Sequence, residues 1–121
     1  MRKAIVGFTF ILAAAVAFAA APDKLTISAA SAKQGAVAFD HARHVTRAKT
    51  CETCHHNHKG LTKDTKAEVK KCTSCHLDVK GMPSAREMSM TKNPFHIRCV
   101  GCHKEAKKGP TACNGCHAKK A

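Results

Sequence analysis

Cys51-Glu52-Thr53-Cys54-His55 is the first of four five-residue runs of one kind. The others are Cys72-Thr73-Ser74-Cys75-His76, Cys99-Val100-Gly101-Cys102-His103 and Cys113-Asn114-Gly115-Cys116-His117. All 8 cysteines of the 121-residue chain lie in these runs. Cys-x-x-Cys-His is the pattern that attaches a c-type haem. The two thiols add across the two vinyl groups of the porphyrin as thioethers, and the adjoining imidazole reaches the iron. The sequence therefore predicts four haem c groups. Cys51, Cys54, Cys72, Cys75, Cys99, Cys102, Cys113 and Cys116 would form the thioethers, and His55, His76, His103 and His117 would be the proximal ligands.

Zinc and disulfides are the rival uses of so many cysteines. Cys51/Cys54 and Cys72/Cys75 stand 17 residues apart, a spacing that suits a four-cysteine zinc site. Neither rival accounts for a His behind every second Cys. With 9 His in the chain, four such coincidences have a chance of about three in 100,000.

Five histidines remain outside the motifs: His41, His44, His56, His58 and His96. Four irons with two imidazoles each need eight His, so the count suffices with one left over. Met82, Met88 and Met90 are the alternative distal ligands. Met–His ligation raises the potential of a haem and His–His ligation lowers it. Met near Pro83 suits packing against a haem face better than ligation.

The N-terminus reads as an export signal. Arg2 and Lys3 precede an apolar stretch from Ala4 to Ala21, and Ala17-Phe18-Ala19 fits the small-x-small rule for cleavage. A cut after Ala21 would leave Pro22 just past the scissile bond, so the expected signal peptide is residues 1–19, with the domain at 20–121. The alternative is an uncleaved anchor, because the apolar stretch nearly spans a bilayer. Export places the chain in the periplasm, which agrees with haem attachment outside the cytoplasm.

Cleavage leaves Phe39 and Phe95 as the only aromatic residues, with no Trp or Tyr. About a hundred residues so poor in large apolar side chains cannot build an ordinary core. The haems would have to serve as the core, and without them the chain is expected to be largely unfolded.

Local patterns are few. Lys24 to Ser28 and Ala36 to Phe39 read as a small β-hairpin. Asp40 to Lys49 reads as a helix with Asp40 as N-cap, placing His41 and His44 on one face. Thr65 to Lys71 and Ser84 to Met90 are predicted as short helices, the second capped by Ser84. Gly81-Met82-Pro83, Asn93-Pro94 and Gly109-Pro110 read as breaks. The expected fold is small, mostly irregular and α, with a short N-terminal β-hairpin and a haem cluster as its core.

On these residues the chain resembles the class III c-type cytochromes, the tetrahaem cytochrome c3 type, over essentially its whole mature length. The specific elements are Val37-Ala38-Phe39-Asp40-His41-Ala42-Arg43-His44 and the doubled His55-His56. The run from His96 to Lys120, with Lys107-Lys108-Gly109-Pro110-Thr111, resembles the trihaem cytochrome c7 proteins more closely. Those lack the second haem, whose Cys72, Cys75 and His76 are present in this chain. The resemblance implies metal ligands in pairs: His41 with His55, His56 with His76, His44 with His103 and His96 with His117. His58 is then left over, and it stands as the alternative to His56. Many members of the family use Cys-x-x-x-x-Cys-His at the second or fourth haem, and this chain does not.

Two imidazoles on every iron leave no open position for a substrate, so the expectation is an electron carrier of low potential and not an enzyme. The resemblance implies acidic redox partners such as hydrogenase, formate dehydrogenase or membrane multihaem cytochromes in anaerobic respiration, and a monomer without stable membrane insertion. The chain has 21 Lys+Arg against 8 Asp+Glu, a net charge of +13. In the cytoplasm such a charge suggests nucleic acid; in an exported protein it suits acidic proteins instead. Lys104, Lys107, Lys108, Lys119 and Lys120 crowd around the fourth motif, where they would steer such a partner.

Overall fold

The computed structural model describes residues 22–28, 33–65 and 67–119. The expected signal peptide at 1–19 and Lys120 lie outside the described residues.

Two strands, β1 (Lys24–Ile27) and β2 (Val37–Asp40), pair antiparallel with Leu25 opposite Phe39 and Ile27 opposite Val37. Leu25 and Ile27 are half-buried while Lys24 and Thr26 are exposed, so the alternation of the sequence sets which face turns inward. The hairpin read from the sequence is therefore present, shifted by one residue.

β2 runs directly into α1 (His41–Arg47). Asp40 caps it: its carboxylate accepts from the Arg43 amide at 2.9 Å, satisfying a donor that has no partner inside the helix. Ala42 N–H donates to Asp23 O at 3.0 Å, tying the helix start to the hairpin.

Beyond α1 the backbone is mostly irregular. A 3-10 turn covers Cys51–Thr53, followed by α2 (Thr73–His76). A π-helical turn over His96–Val100 continues into α3 (Gly101–Ala106), and α4 (Cys113–Cys116) closes the series.

Two predicted helices do not form. In the Thr65–Lys71 span no described residue is helical, and residue 66 lies outside the description. There the Thr65 hydroxyl accepts from Thr62 N–H at 2.9 Å and His58 Nε2 accepts from Lys70 N–H at 3.3 Å, so side chains take the amides. The Ser84–Met90 span is turn and irregular chain. Asn93 Nδ2 donates to the carbonyls of Ala85 and Glu87 at 2.9 and 2.6 Å, which a helix would have needed for its own ladder. Asn93-Pro94, read as a break, instead begins the helical run: Asn93 Oδ1 accepts from Phe95 N–H at 2.8 Å.

Among the described residues only Ala85, Val100 and Asn93 are buried, and no large side chain is fully buried. Val45, Val79, Met82, Met88, Met90 and Ile97 are all exposed. The polypeptide orders its backbone without closing apolar side chains over a centre. No helix among the described residues is long and apolar enough to cross a membrane.

Candidate haem centres

The first, second and fourth motifs each close a single turn on themselves, and the third spans the end of the π-helical turn and the start of α3. The His55 amide donates to Cys51 O at 2.9 Å, His76 to Cys72 O at 2.9 Å and His117 to Cys113 O at 2.8 Å. In such a turn positions i, i+3 and i+4 share a face, so both thiols and the imidazole point the same way. That is the disposition needed to grip one planar ring at two edges while a nitrogen approaches its centre.

All eight thiols are free. Burial is the main cause that pushes the Cys99 thiol up to about 11, with the Cys54, Cys116, Cys72 and Cys102 sulfurs adding to it. Burial likewise raises Cys54, against which the Arg98 guanidinium acts, and Cys116. Burial thus disfavours the thiolate form at Cys54, Cys99 and Cys116.

The histidines stand in four opposed pairs. Ring centroids are 6.4 Å apart for His41 and His55, 5.9 Å for His56 and His76, 6.1 Å for His44 and His103, and 6.3 Å for His96 and His117. A first-row metal sits about 2.0 Å from an imidazole nitrogen, which is itself about 1.1 Å from the ring centre, so two imidazoles on opposite sides of one ion would be about 6.2 Å apart. All four spacings fit that value. Among the described residues no three His, Cys, Asp or Glu side chains converge on a point. Paired donors suit an ion whose other four positions a macrocycle fills, and they do not suit a four-donor zinc cage.

Five of the eight rings are fixed from behind by a backbone carbonyl at Nδ1. The acceptors are Asp40 O for His44 (2.7 Å), Pro83 O for His76 (3.0 Å), Ser89 O for His96 (3.1 Å), Pro110 O for His103 (2.6 Å) and Gly35 O for His117 (2.7 Å). An Nδ1–H held in this way sets the tautomer, leaves Nε2 as the donor and raises its basicity. Phe39 lies over His44 with centroids 4.3 Å apart and keeps that ring from turning. Burial, then the neighbouring His41 and His58, hold the His55 imidazole below the usual histidine range, which favours its neutral, ligating form.

His58 differs from the eight. Its Nε2 accepts from the Lys70 amide, while His56 faces His76. Met82, Met88 and Met90 are exposed.

The carbonyl acceptors and Asn93 are the contributors that reading the sequence overlooked. One signal was there: Pro83 and Pro110 each follow a motif His by seven residues. The Gly35 contact has no such signal, because it spans 82 residues. Around it Val37 bridges His117, Ala118 N–H donates to Ala36 O at 3.0 Å, and a Cβ on Gly35 would collide with the Ala118 carbonyl.

The model of the class III cytochrome C family matches residues 15–117. A cytochrome c3 of Desulfovibrio desulfuricans is 35% identical over 102 residues, covering 82% of this chain and 97% of that protein. A cytochrome c7 of Geobacter metallireducens is 33% identical over 109 residues, covering 90% of this chain and 88% of that protein. The high-molecular-weight cytochrome c of Desulfovibrio vulgaris (Miyazaki F) superposes with a TM-score of 0.55 at 26% identity, over 83% of this chain and 21% of that one.

Proposed function

The chain belongs to the class III cytochrome c family and is a multihaem electron-transfer carrier; from that premise we propose that it holds four haem c groups, each iron between two imidazoles, and works in the periplasm at low potential. The observation that carries the proposal is the set of four His pairs at 5.9–6.4 Å. The eight cysteines would hold the groups covalently. The paired ligands are His41/His55, His56/His76, His44/His103 and His96/His117. When bound, haem supplies reversible one-electron chemistry at its iron. The paired imidazoles of this chain would hold each iron from two sides, leaving no place for a substrate and favouring the low potentials of bis-His ligation. His56 is favoured over His58 because the His58 Nε2 already takes an amide hydrogen.

The ligand order also keeps the sites together. Adjacent His55 and His56 would serve different irons, and so would His41 and His44, one turn apart on α1. The Gly35 carbonyl joins His117 to the strand that leads into α1. Backbone continuity thus brings the sites close, as electron hopping between them requires.

The partners proposed are acidic redox proteins. Lys104, Lys107, Lys108 and Lys119 are exposed around α3 and α4, and a concentration of positive charge steers an acidic partner. On formal charges eight propionates and four ferric centres would leave the mature, oxidised protein at about +7.

An optical redox titration of the purified protein, with its mass measured, tests the reading. Four haems, a cut near Ala19, low potentials and no carbon monoxide adduct of the reduced form are expected. Three haems, or an iron that takes up carbon monoxide, would overturn it.

A further inference from the structure

Gly115 lies inside the fourth motif, between Asn114 and Cys116, yet it packs against the loop that serves the third. A Cβ placed on Gly115 would stand 2.7 Å from Pro110 Cβ, closer than carbon atoms approach without displacement. Pro110 O accepts from His103 Nδ1 at 2.6 Å. Gly109 has φ +91°, and a Cβ there would lie 2.8–2.9 Å from carbons of the His103 ring. The loop is short and stiff. Lys107 is left-handed at φ 50°, and Lys108 N–H returns to His103 O at 3.1 Å. Pro110 therefore has the His103 imidazole on its carbonyl side and the fourth motif behind its ring, with little freedom to yield.

We propose that Gly115 is a positioning residue for His103: the space left by its missing side chain seats Pro110, which aims its carbonyl at the His103 Nδ1. A residue of the fourth Cys-x-x-Cys-His motif thereby tunes the iron of the third. The proposal rests on the reading that His103 is an axial ligand. The second motif supplies a contrast, since His76 uses Pro83 O at the same seven-residue offset, but none of the described glycines abuts Pro83.

The chemical consequence follows from the hydrogen bond. An Nδ1–H donating to a carbonyl makes the imidazole a stronger donor to iron and favours the ferric state. Displacing Pro110 weakens the bond and raises the potential of that haem above all.

The test is Gly115→Ala in the holoprotein, with each haem followed through a stepwise reductive titration by NMR using labelled His. The expected result is a three- to tenfold shift toward reduction at the His103 haem, about 30–60 mV at 59 mV per decade for one electron, larger than any shift at the fourth haem. In a Pro110→Gly background Gly115→Ala should add little, a non-additivity that marks direct coupling. If Gly115→Ala does not mature with its haems, Pro110→Gly alone carries the test, with a shift at the His103 haem in the same direction. A shift confined to the fourth haem, no shift, or additive shifts would overturn the proposal. A His103 without paramagnetically shifted signals in the unsubstituted protein would overturn the ligand assignment instead.

Discussion

Asp40 and Ser84 each precede a run where the sequence predicts a helix, and the structure treats them differently. At Asp40 the carboxylate accepts from Arg43 N–H, three residues on, and α1 follows. At Ser84 the hydroxyl donates to Leu77 O at 3.2 Å and accepts from Arg86 N–H, two residues on, at 3.2 Å. The first is a cap and the second is a local turn. The difference lies in the carbonyls downstream. Those after Asp40 are free to receive their own helix's amides, and Ala48 N–H closes on His44 O at 2.8 Å. Those of Ala85 and Glu87 are held by Asn93, one of three buried residues among those described. A capping residue starts a helix only where no stronger acceptor or donor claims the following turn.

Asn93→Ala breaks this contrast most severely. It leaves two carbonyls without their donor and removes the acceptor for Phe95 and His96 N–H. A loss of about 2–3 kcal/mol is expected from stranding buried polar groups, read as a lower guanidinium midpoint of the holoprotein. The His96 signals should broaden as well, since Ser89 O, its Nδ1 acceptor, belongs to the same loop. A midpoint within error of the unsubstituted protein would mean that Asn93 does not hold the loop.

Asp40→Ala comes next. Loss of an N-cap costs about 1 kcal/mol, and the helical far-UV signal of the first turn should fall while the Ser84 loop is unaffected. His44 donates to the backbone carbonyl of Asp40, which the substitution retains, so the haem spectrum should persist. Ser84→Ala is the smallest change. The turn keeps Ala85 N–H on His76 O at 2.6 Å and the Asn93 contacts, so a cost of about 0.5 kcal/mol is expected for the loss of one part-buried and one exposed turn hydrogen bond. A loss larger than that of Asp40→Ala, measured by the same unfolding curve, would reverse the ranking and make Ser84 the organiser of its loop.

Much of the fold was legible where the pattern is local. Alternation gave the hairpin to within one residue, and Asp40 with His41 and His44 gave α1. Thr65–Lys71 was misread because exposed Thr and Lys residues support a helix only with a face to bury, and none is available there. Of the candidate sites, the Cys-x-x-Cys-His turn is legible because it closes within five residues. The carbonyls behind the imidazoles were not legible, because any residue can supply one.

The sequence by itself determined the number of motifs, the family and the shortage of apolar side chains, since these depend only on which residues stand where. Tertiary structure decided how near the paired imidazoles lie, the role of Gly35 behind His117, and the contact of Gly115 with Pro110. The physical reason is range. A turn is fixed by neighbours along the chain, whereas a carbonyl 82 residues away, or the space left by one missing Cβ, has meaning only once the backbone has come together.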